Sequence, residues 1–208
     1  MPSGGDRTIV HIVDDNASFR KAIDALLTRF GYEVSAFASA QHLLDHLPND
    51  EVPGCILLDV RLPEMSGPEL QERLKALNFA LPIIFITGYE DIPTTVRTIK
   101  AGGEDFLTKP VTSEQLLGAV ELAVARHAIM LEGRRGLQQM QARLATLTAR
   151  ERQVFDLVVR GRLNKQIASE LGATERTIKA HRHRVTEKMK VRSLAELVTI
   201  AQRLGLLA

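Results

Sequence analysis

The spacing of apolar residues changes character partway along the chain. Thr8–Val13 (TIVHIV) is a short β-branched run that stops at Asp14-Asp15-Asn16. Phe19, Ile23, Leu26 and Leu27 then recur on one helical face until Gly31 closes it. The same reading gives a strand over Glu33–Phe37, a helix over Ala40–Leu47, and a buried strand over Cys55–Leu58 that ends at Asp59. A helix over Pro68–Leu77, a strand over Ile83–Thr87, a helix over Thr94–Ala101 and a strand over Asp105–Leu107 follow. The next helix starts near Thr112, where Thr112 and Gln115 have capping-box spacing. Strands alternating with helices in this way predict an α/β doubly wound unit, a five-stranded parallel sheet covered on both faces.

Beyond Thr112 no strand pattern recurs. Leu116, Val120, Ala123, Val124, His127 and Leu131 continue one helical face, Gly133-Arg-Arg-Gly136 interrupts it, and Leu137, Met140, Leu144 and Leu147 resume the stripe. This predicts a helical linker kinked at the two glycines; a pairing seam between subunits and packing within the chain both fit the stripe. Thr148 and Glu151 then form a capping-box pair that opens a helix ended by Gly161. Leu163–Leu171 is a second short helix closed by Gly172, Thr174 caps a third running to about Met189, and Ser193 with Glu196 caps a fourth. The tight turn Gly172-Ala-Thr174 makes the second and third a helix-turn-helix arrangement within an all-α four-helix unit.

Net charge sharpens this division. The whole chain of 208 residues carries only +2, yet residues 1–125 hold 10 Lys+Arg and 18 Asp+Glu (net −8), and residues 126–208 hold 17 and 7 (net +10). An acidic half joined to a basic half predicts different partners, the basic one a polyanion. The expected organisation is 1–125, a linker over 126–144, and 145–208. No apolar run approaches the ~20 residues of a membrane span and no signal segment is seen at Met1–Asp6, so a cytoplasmic location without membrane association is expected. The single cysteine, Cys55, reads as a core thiol, and His42 and His46, one turn apart without a third ligand, read as surface residues. His11 lies inside the first strand with no evident partner.

In the third helix of the basic half, Ile178, Val185 and Met189 fall within about 40° of one another and define the buried stripe. Arg176, Lys179, Ala180, His183 and Glu187 point the other way, with Arg184 on their flank. A basic outer face containing a small alanine suits a major groove. An ordinary solvated face is the plain alternative, which the +10 charge and the preceding turn outweigh.

In parallel α/β sheets the ligand crevice lies beyond the carboxyl ends of the strands. Asp14 and Asp15 follow the first strand, Asp59 the third and Lys109 the fifth, and Thr87 ends the fourth, so all five should converge on one edge. Crowded carboxylates need a cation, and Mg2+ suits an oxygen donor set. A carboxylate nucleophile, a metal, a lysine and a hydroxyl are the equipment for placing a phosphoryl group on a carboxylate. Taken singly, an Asp pair is a helix cap, a threonine is structural and a lysine is solvated; five such residues at the ends of four strands are not explained that way.

The strings IVDDN, LLDVRLPEMSG, FITGYEDIP and AGGEDFLTKP resemble the receiver domain of two-component response regulators over roughly Thr8–His127. The resemblance implies that Asp59 accepts a phosphoryl group from the phosphohistidine of a sensor histidine kinase. It implies that Asp15, Asp59 and the backbone carbonyl of Arg61 ligate Mg2+, with Asp14 assisting through water. Lys109 would pair with phosphoryl oxygens, Thr87 would move to hydrogen-bond one, and Phe106 would turn inward as the switch aromatic. Lys109-Pro110 matches the family's cis peptide. Position 106 is Phe where many relatives have Tyr, and Gly103 stands where Ala is common. The resemblance also implies that Arg61 and Tyr89, which border the site, sit where phosphate lifetime is tuned.

LTARERQVFDLVVRGRLNKQIASELGATERTIKAHRHRVTEKMKVRSLAELV resembles the LuxR-type DNA-binding domain over roughly Ala145–Leu204. This implies that the third helix enters the major groove of double-stranded DNA and the fourth dimerises. Lys179, Ala180 and His183 would approach bases, and Lys165, Thr177, His181 and Arg184 would anchor phosphates. The order of parts is similar to the FixJ/NarL class, which implies a transcriptional regulator that forms a homodimer on phosphorylation. Its only chemistry would be self-phosphoryl transfer and slow self-dephosphorylation. Two rival readings stand beside this one. An aspartate-nucleophile phosphatase usually carries Asp-x-Asp after its first strand, unlike the adjacent acids here; a phosphorylation-independent DNA-binding regulator would use the receiver only to dimerise.

Overall fold

A computed structural model describes residues 7–88 and 105–207. The first part contains β1 (Ile9–Val13), α1 (Ala17–Arg29), β2 (Glu33–Phe37), α2 (Ala40–Asp45), β3 (Gly54–Asp59), α3 (Gly67–Ala76), β4 (Ile83–Thr87) and β5 (Asp105–Thr108). The helix expected over Thr94–Ala101 lies outside the described residues, as do Tyr89 and Gly103. The helix expected to reach Leu47 stops at Asp45, since Pro48 disfavours helical backbone at the residue before it.

The strands form one sheet in the order β2-β1-β3-β4-β5, every pair parallel. Strand order reverses between β1 and β3, which places the crevice beyond the carboxyl ends of those two strands. β3 is buried along its whole length. Its alternate side chains feed two cores: Cys55 and Leu57 join Ile23 and Leu27 of α1, whereas Ile56 and Leu58 join Leu43 of α2 and Leu70 and Leu74 of α3. Backbones approach closely at Gly54, where a Cβ would stand 2.2 Å from the carbonyl oxygen of Ile9.

The capping pair at Thr112 forms: Gln115 N–H donates to Oγ1 of Thr112 (3.3 Å), and Gln115 Oε1 accepts from the Thr112 amide (3.3 Å). The helix it opens, α4 (Ser113–Ala145), runs unbroken through Gly133 and Gly136. The expected interruption is therefore absent. A glycine costs a helix only about 1 kcal/mol, and burial of Leu131 on one side and packing of Met140 and Leu144 on the other hold the segment helical.

The chain divides into two compact units, Met1–Leu131 and Glu132–Ala208. The second adds α5 (Ala149–Val159), α6 (Asn164–Glu170), α7 (Glu175–Met189) and α8 (Leu194–Arg203). Phe155, Ile167, Ile178, Val185, Met189 and Leu197 are at the centre of its core. Capping side chains accept at the expected starts: Thr148 from Glu151 N, Thr174 from Thr177 N and Ser193 from Glu196 N. Gly161 and Gly172 follow α5 and α6 with φ of +79° and +61°, the left-handed backbone that glycine adopts without strain. No helix among the described residues is long and apolar enough to cross a membrane.

Candidate functional site

β1 and β3 are hydrogen-bonded neighbours, so the residues that follow them share one edge. Asp14 is buried at 1% exposure, Asp59 is 8% exposed, and Asp15 is open to solvent. One carboxylate oxygen from each lies within 4.8 Å of the others. Each buried carboxylate divides its two oxygens between different donors. Oδ1 of Asp14 accepts from Asn16 N–H (2.8 Å) and Oδ1 of Asp59 from Arg61 N–H (3.0 Å). Both Oδ2 atoms accept from the ammonium of Lys109, at 2.7 Å from Asp14 and 2.5 Å from Asp59.

Burial raises the Asp14 pKa, against the opposing pull of the Lys109 and Asn16 hydrogen bonds. Burial also works against the charged form of Lys109, but its hydrogen bonds to Asp14 and Asp59 outweigh it and hold the ammonium above the ordinary lysine range. Three carboxylates against one lysine leave excess negative charge on an all-oxygen donor set, as a hard divalent cation requires.

Thr87 reaches this edge from β4. Register pairs Asp59 with Ile86 and Thr87 with Thr108, and the amide of Lys109 donates to the Thr87 carbonyl at 2.6 Å. The Thr87 side chain is 2% exposed, and its hydroxyl has no hydrogen-bond partner among the described residues. Phe106 lies opposite Phe85 and is half-buried against the core cluster of α2 and α3. The Lys109-Pro110 peptide is cis. Asp14, Asp15, Asp59, Thr87 and Lys109 thus converge, whereas Phe106 stands apart from the carboxylates in that second core.

Three further residues belong to the site and were read from the sequence only as a strand stop or as part of a helix. Asn16 is the N-cap of α1 and accepts from Ser18 and Phe19 amides. Arg20 donates from Nη1 to the carbonyl of Asp14 at 2.5 Å. Nζ of Lys109 lies 4.3 Å from the centroid of the Phe19 ring. An Asn just before an apolar-periodic run is a capping signal that was available; the Phe19 contact spans 90 positions and has no local signature.

Cys55 is fully buried, and burial pushes its thiol up to about 12, so it is an inert core group. His42 and His46 are both exposed, with ring centroids 5.0 Å apart. Among the described residues the only group of three metal-binding side chains is the aspartate set.

In the second unit, Ile178, Val185 and Met189 are buried, as their angular spacing predicts. Arg176, Thr177, Lys179, Ala180, His183 and Arg184 are exposed on α7 and Lys165 on α6, whereas His181 is half-buried. The Thr177 hydroxyl is 2.8 Å from that of the cap residue Thr174, and His183 Nε2 stands 3.5 Å from Glu187. Arg182 ties α7 to α6 by donating to Asn164 Oδ1 at 2.6 Å, and Arg150 of α5 donates to the Leu171 carbonyl beyond α6. The exposed basic face therefore sits on a helix anchored from behind.

Residues 10–121 match the response regulator receiver domain, and residues 145–201 match the bacterial regulatory proteins of the luxR family. Nodulation protein W of Bradyrhizobium diazoefficiens is 44% identical, over 97% of this chain and 88% of that protein. Transcriptional regulatory protein FixJ of Rhizobium meliloti is 41% identical, over 92% and 94%. Among solved structures, the response regulator StyR is similar with a TM-score of 0.87 and 44% identity, over 95% of this chain and 99% of that one. Full-length FixJ from B. japonicum gives a TM-score of 0.60 at 37% identity, over 98% and 100%. The chain belongs to the response regulators, with a receiver domain followed by a LuxR-type DNA-binding domain.

Proposed function

We propose that this protein is a transcriptional regulator switched by phosphorylation of Asp59. The observation that carries this reading is the bridge of Lys109 to Oδ2 of both Asp14 and Asp59, beside a buried Thr87 hydroxyl that no described residue engages. A carboxylate oxygen of Asp59 forms a bond to phosphorus as the P–N bond of a kinase phosphohistidine breaks, and the bonding pair returns to the imidazole nitrogen. Lys109 leaves Asp59 for a phosphoryl oxygen, and Thr87 donates its hydroxyl to another. Asp15, Asp59 and the Arg61 carbonyl, assisted by Asp14, would hold Mg2+, and the ion would supply positive charge to offset that of the phosphoryl oxygens. The Arg61 amide, which donates to Oδ1 of Asp59, steadies the acceptor carboxylate at the same point. The same carboxylate later loses the group to water, so the only chemistry is self-phosphorylation and self-dephosphorylation.

Rotation of Thr87 frees space into which Phe106 turns, and the altered face of the receiver (1–125) favours a homodimer. A helical linker (126–144) joins it to the DNA-binding domain (145–208). There Lys179, Ala180 and His183 face bases of double-stranded DNA, while Lys165, Arg176, Thr177, His181 and Arg184 contact the backbone. A dimer reads two half-sites about one helical turn apart, with steep salt dependence. A DNA target and a kinase partner together support a cytoplasmic location.

The test is molar mass by light scattering with and without beryllofluoride and Mg2+, on wild type and Asp59→Asn. Dimerisation of wild type alone is expected. Equal behaviour of the two proteins overturns the switch at Asp59.

A further inference from the structure

Lysine carries its charge on a flexible four-carbon stem, so a lysine that must follow a moving phosphoryl group needs something other than its anionic partners to hold it. In this site that element is an aromatic face. Phe19 sits in the first turn of α1, where Asn16 Oδ1 accepts from its amide at 3.1 Å. Asn16 also donates its own amide to Asp14 (2.8 Å), and Arg20 clamps the Asp14 carbonyl (2.5 Å). The cap thereby fixes Asp14 and the Phe19 backbone relative to one another.

The Phe19 ring is half-buried and packs against the core of α1 and the sheet. Its centroid is 4.3 Å from Lys109 Nζ, within the ~6 Å at which a cation is attracted to a ring face. An ammonium has three N–H donors. Asp14 and Asp59 each take one, and the ring covers the ammonium from a further side. Lys109 is 26% exposed at its side chain, so this attraction operates in a partly desolvated place, where it is strongest.

We infer that Phe19 is a positioning residue for phosphoryl transfer, its ring face holding the Lys109 ammonium at the acceptor while Lys109 exchanges a carboxylate oxygen for a phosphoryl oxygen. The inference rests on the acceptor role proposed above for Asp59. Asp14 and the ring remain in place when the charge on Asp59 Oδ2 is lost to the new bond, so Lys109 keeps two of its three contacts. Phe19 touches no reacting atom and acts through Lys109.

The experiment follows phosphorylation of the full chain by acetyl phosphate with Mg2+. Phosphorus bonds to Asp59 as its bond to the acetyl oxygen breaks and acetate leaves with the pair. Intact mass gives the rate for wild type, Phe19→Leu, Phe19→Tyr, Lys109→Met and the Phe19→Leu/Lys109→Met double variant, with Phe19→Met replacing Phe19→Leu if the latter does not fold. Leucine keeps the apolar contact and removes the ring face. The expected result is a loss of about five-fold or more in Phe19→Leu, recovery in Phe19→Tyr, and no further loss from Phe19→Leu once Lys109 is Met. An unchanged rate in Phe19→Leu overturns the inference, as does an equal factor lost with Lys109 absent, which would make Phe19 a packing residue. Wild type gaining no phosphoryl mass overturns the acceptor reading itself and this inference with it, a result independent of position 19.

Discussion

The Lys188 ammonium of α7 lies 2.6 Å from Oε2 of Glu151, the carboxylate oxygen that also accepts from the Thr148 amide to cap α5. Glu151 is only 3% exposed, so one buried carboxylate both caps α5 and anchors α7. The Lys188 hydrogen bond, then that of the Thr148 amide, hold its pKa down to about 2, from an ordinary 4.5. A depressed carboxyl pKa stabilises the fold above the ordinary value, and that contribution is lost as pH falls through the folded one. Helical ellipticity during urea unfolding should therefore show this unit weakening between about pH 4.5 and 2. Glu151→Gln should flatten that dependence, and Lys188→Met should cost about 1–3 kcal/mol at neutral pH. An unaltered acid profile in Glu151→Gln would remove the pair from the account.

His11 makes the receiver respond over a different range. It is 3% exposed in β1, tilted against Phe37 at 6.2 Å, and burial lowers its pKa from 6.5 to about 4. The unfolded chain takes up a proton near pH 6.5 while the folded chain resists it until about 4. Stability is thus complete above 6.5 and declines as pH falls towards 4, by on the order of 3 kcal/mol. Both tyrosines, Tyr32 and Tyr89, precede Leu131, so tyrosine emission in urea reports this unit. His11→Leu should lose most of the slope between pH 6.5 and 4.

Gly67 guards the acceptor strand. A Cβ there would stand 2.6 Å from the Asp59 carbonyl oxygen and 3.1 Å from Val60 Cα, both backbone atoms. Gly67→Ala must therefore move the end of β3, and a loss of about 1–3 kcal/mol with slower phosphorylation by acetyl phosphate is expected. Wild-type rate and melting temperature would show that the backbone yields there without consequence.

The glycines of α4 offer the opposite case. Neither Gly133 nor Gly136 would bring a Cβ within 4 Å of anything, and both lie inside continuous helix. Alanine at each should stabilise that helix by about 0.5–1 kcal/mol, raising its melting temperature in circular dichroism. Destabilisation would mean that the chain leaves helical geometry at these positions.

Much of this molecule was legible because period and punctuation agree locally. β2 and β4 have the bounds that the sequence pattern gives, and Thr148, Thr174 and Ser193 cap the helices they were expected to cap. The convergence of Asp14, Asp15, Asp59, Thr87 and Lys109 was also legible, because parallel strands send their carboxyl ends to one edge whatever their lengths. Gly133 and Gly136 misled because local propensity is weaker than the packing on either side of them. The Phe19–Lys109 and Arg182–Asn164 contacts carry no local signal: they depend on how separate elements are brought together, and each residue by itself looks like core or surface.

The 2.6 Å bond from the Lys109 amide to the Thr87 carbonyl has a consequence for how a signal leaves this site. It joins the backbones of Thr87 and Lys109 as a rung of the β4–β5 ladder, close to the carboxylates of Asp14 and Asp59 that Lys109 bridges. What remains adjustable is torsion: the rotor of the Thr87 hydroxyl and the long stem of Lys109. On the function proposed above, Thr87 and Lys109 would answer a phosphoryl group on Asp59 by choosing between discrete rotamers on this hydrogen-bonded backbone, a response closer to a latch than to a spring.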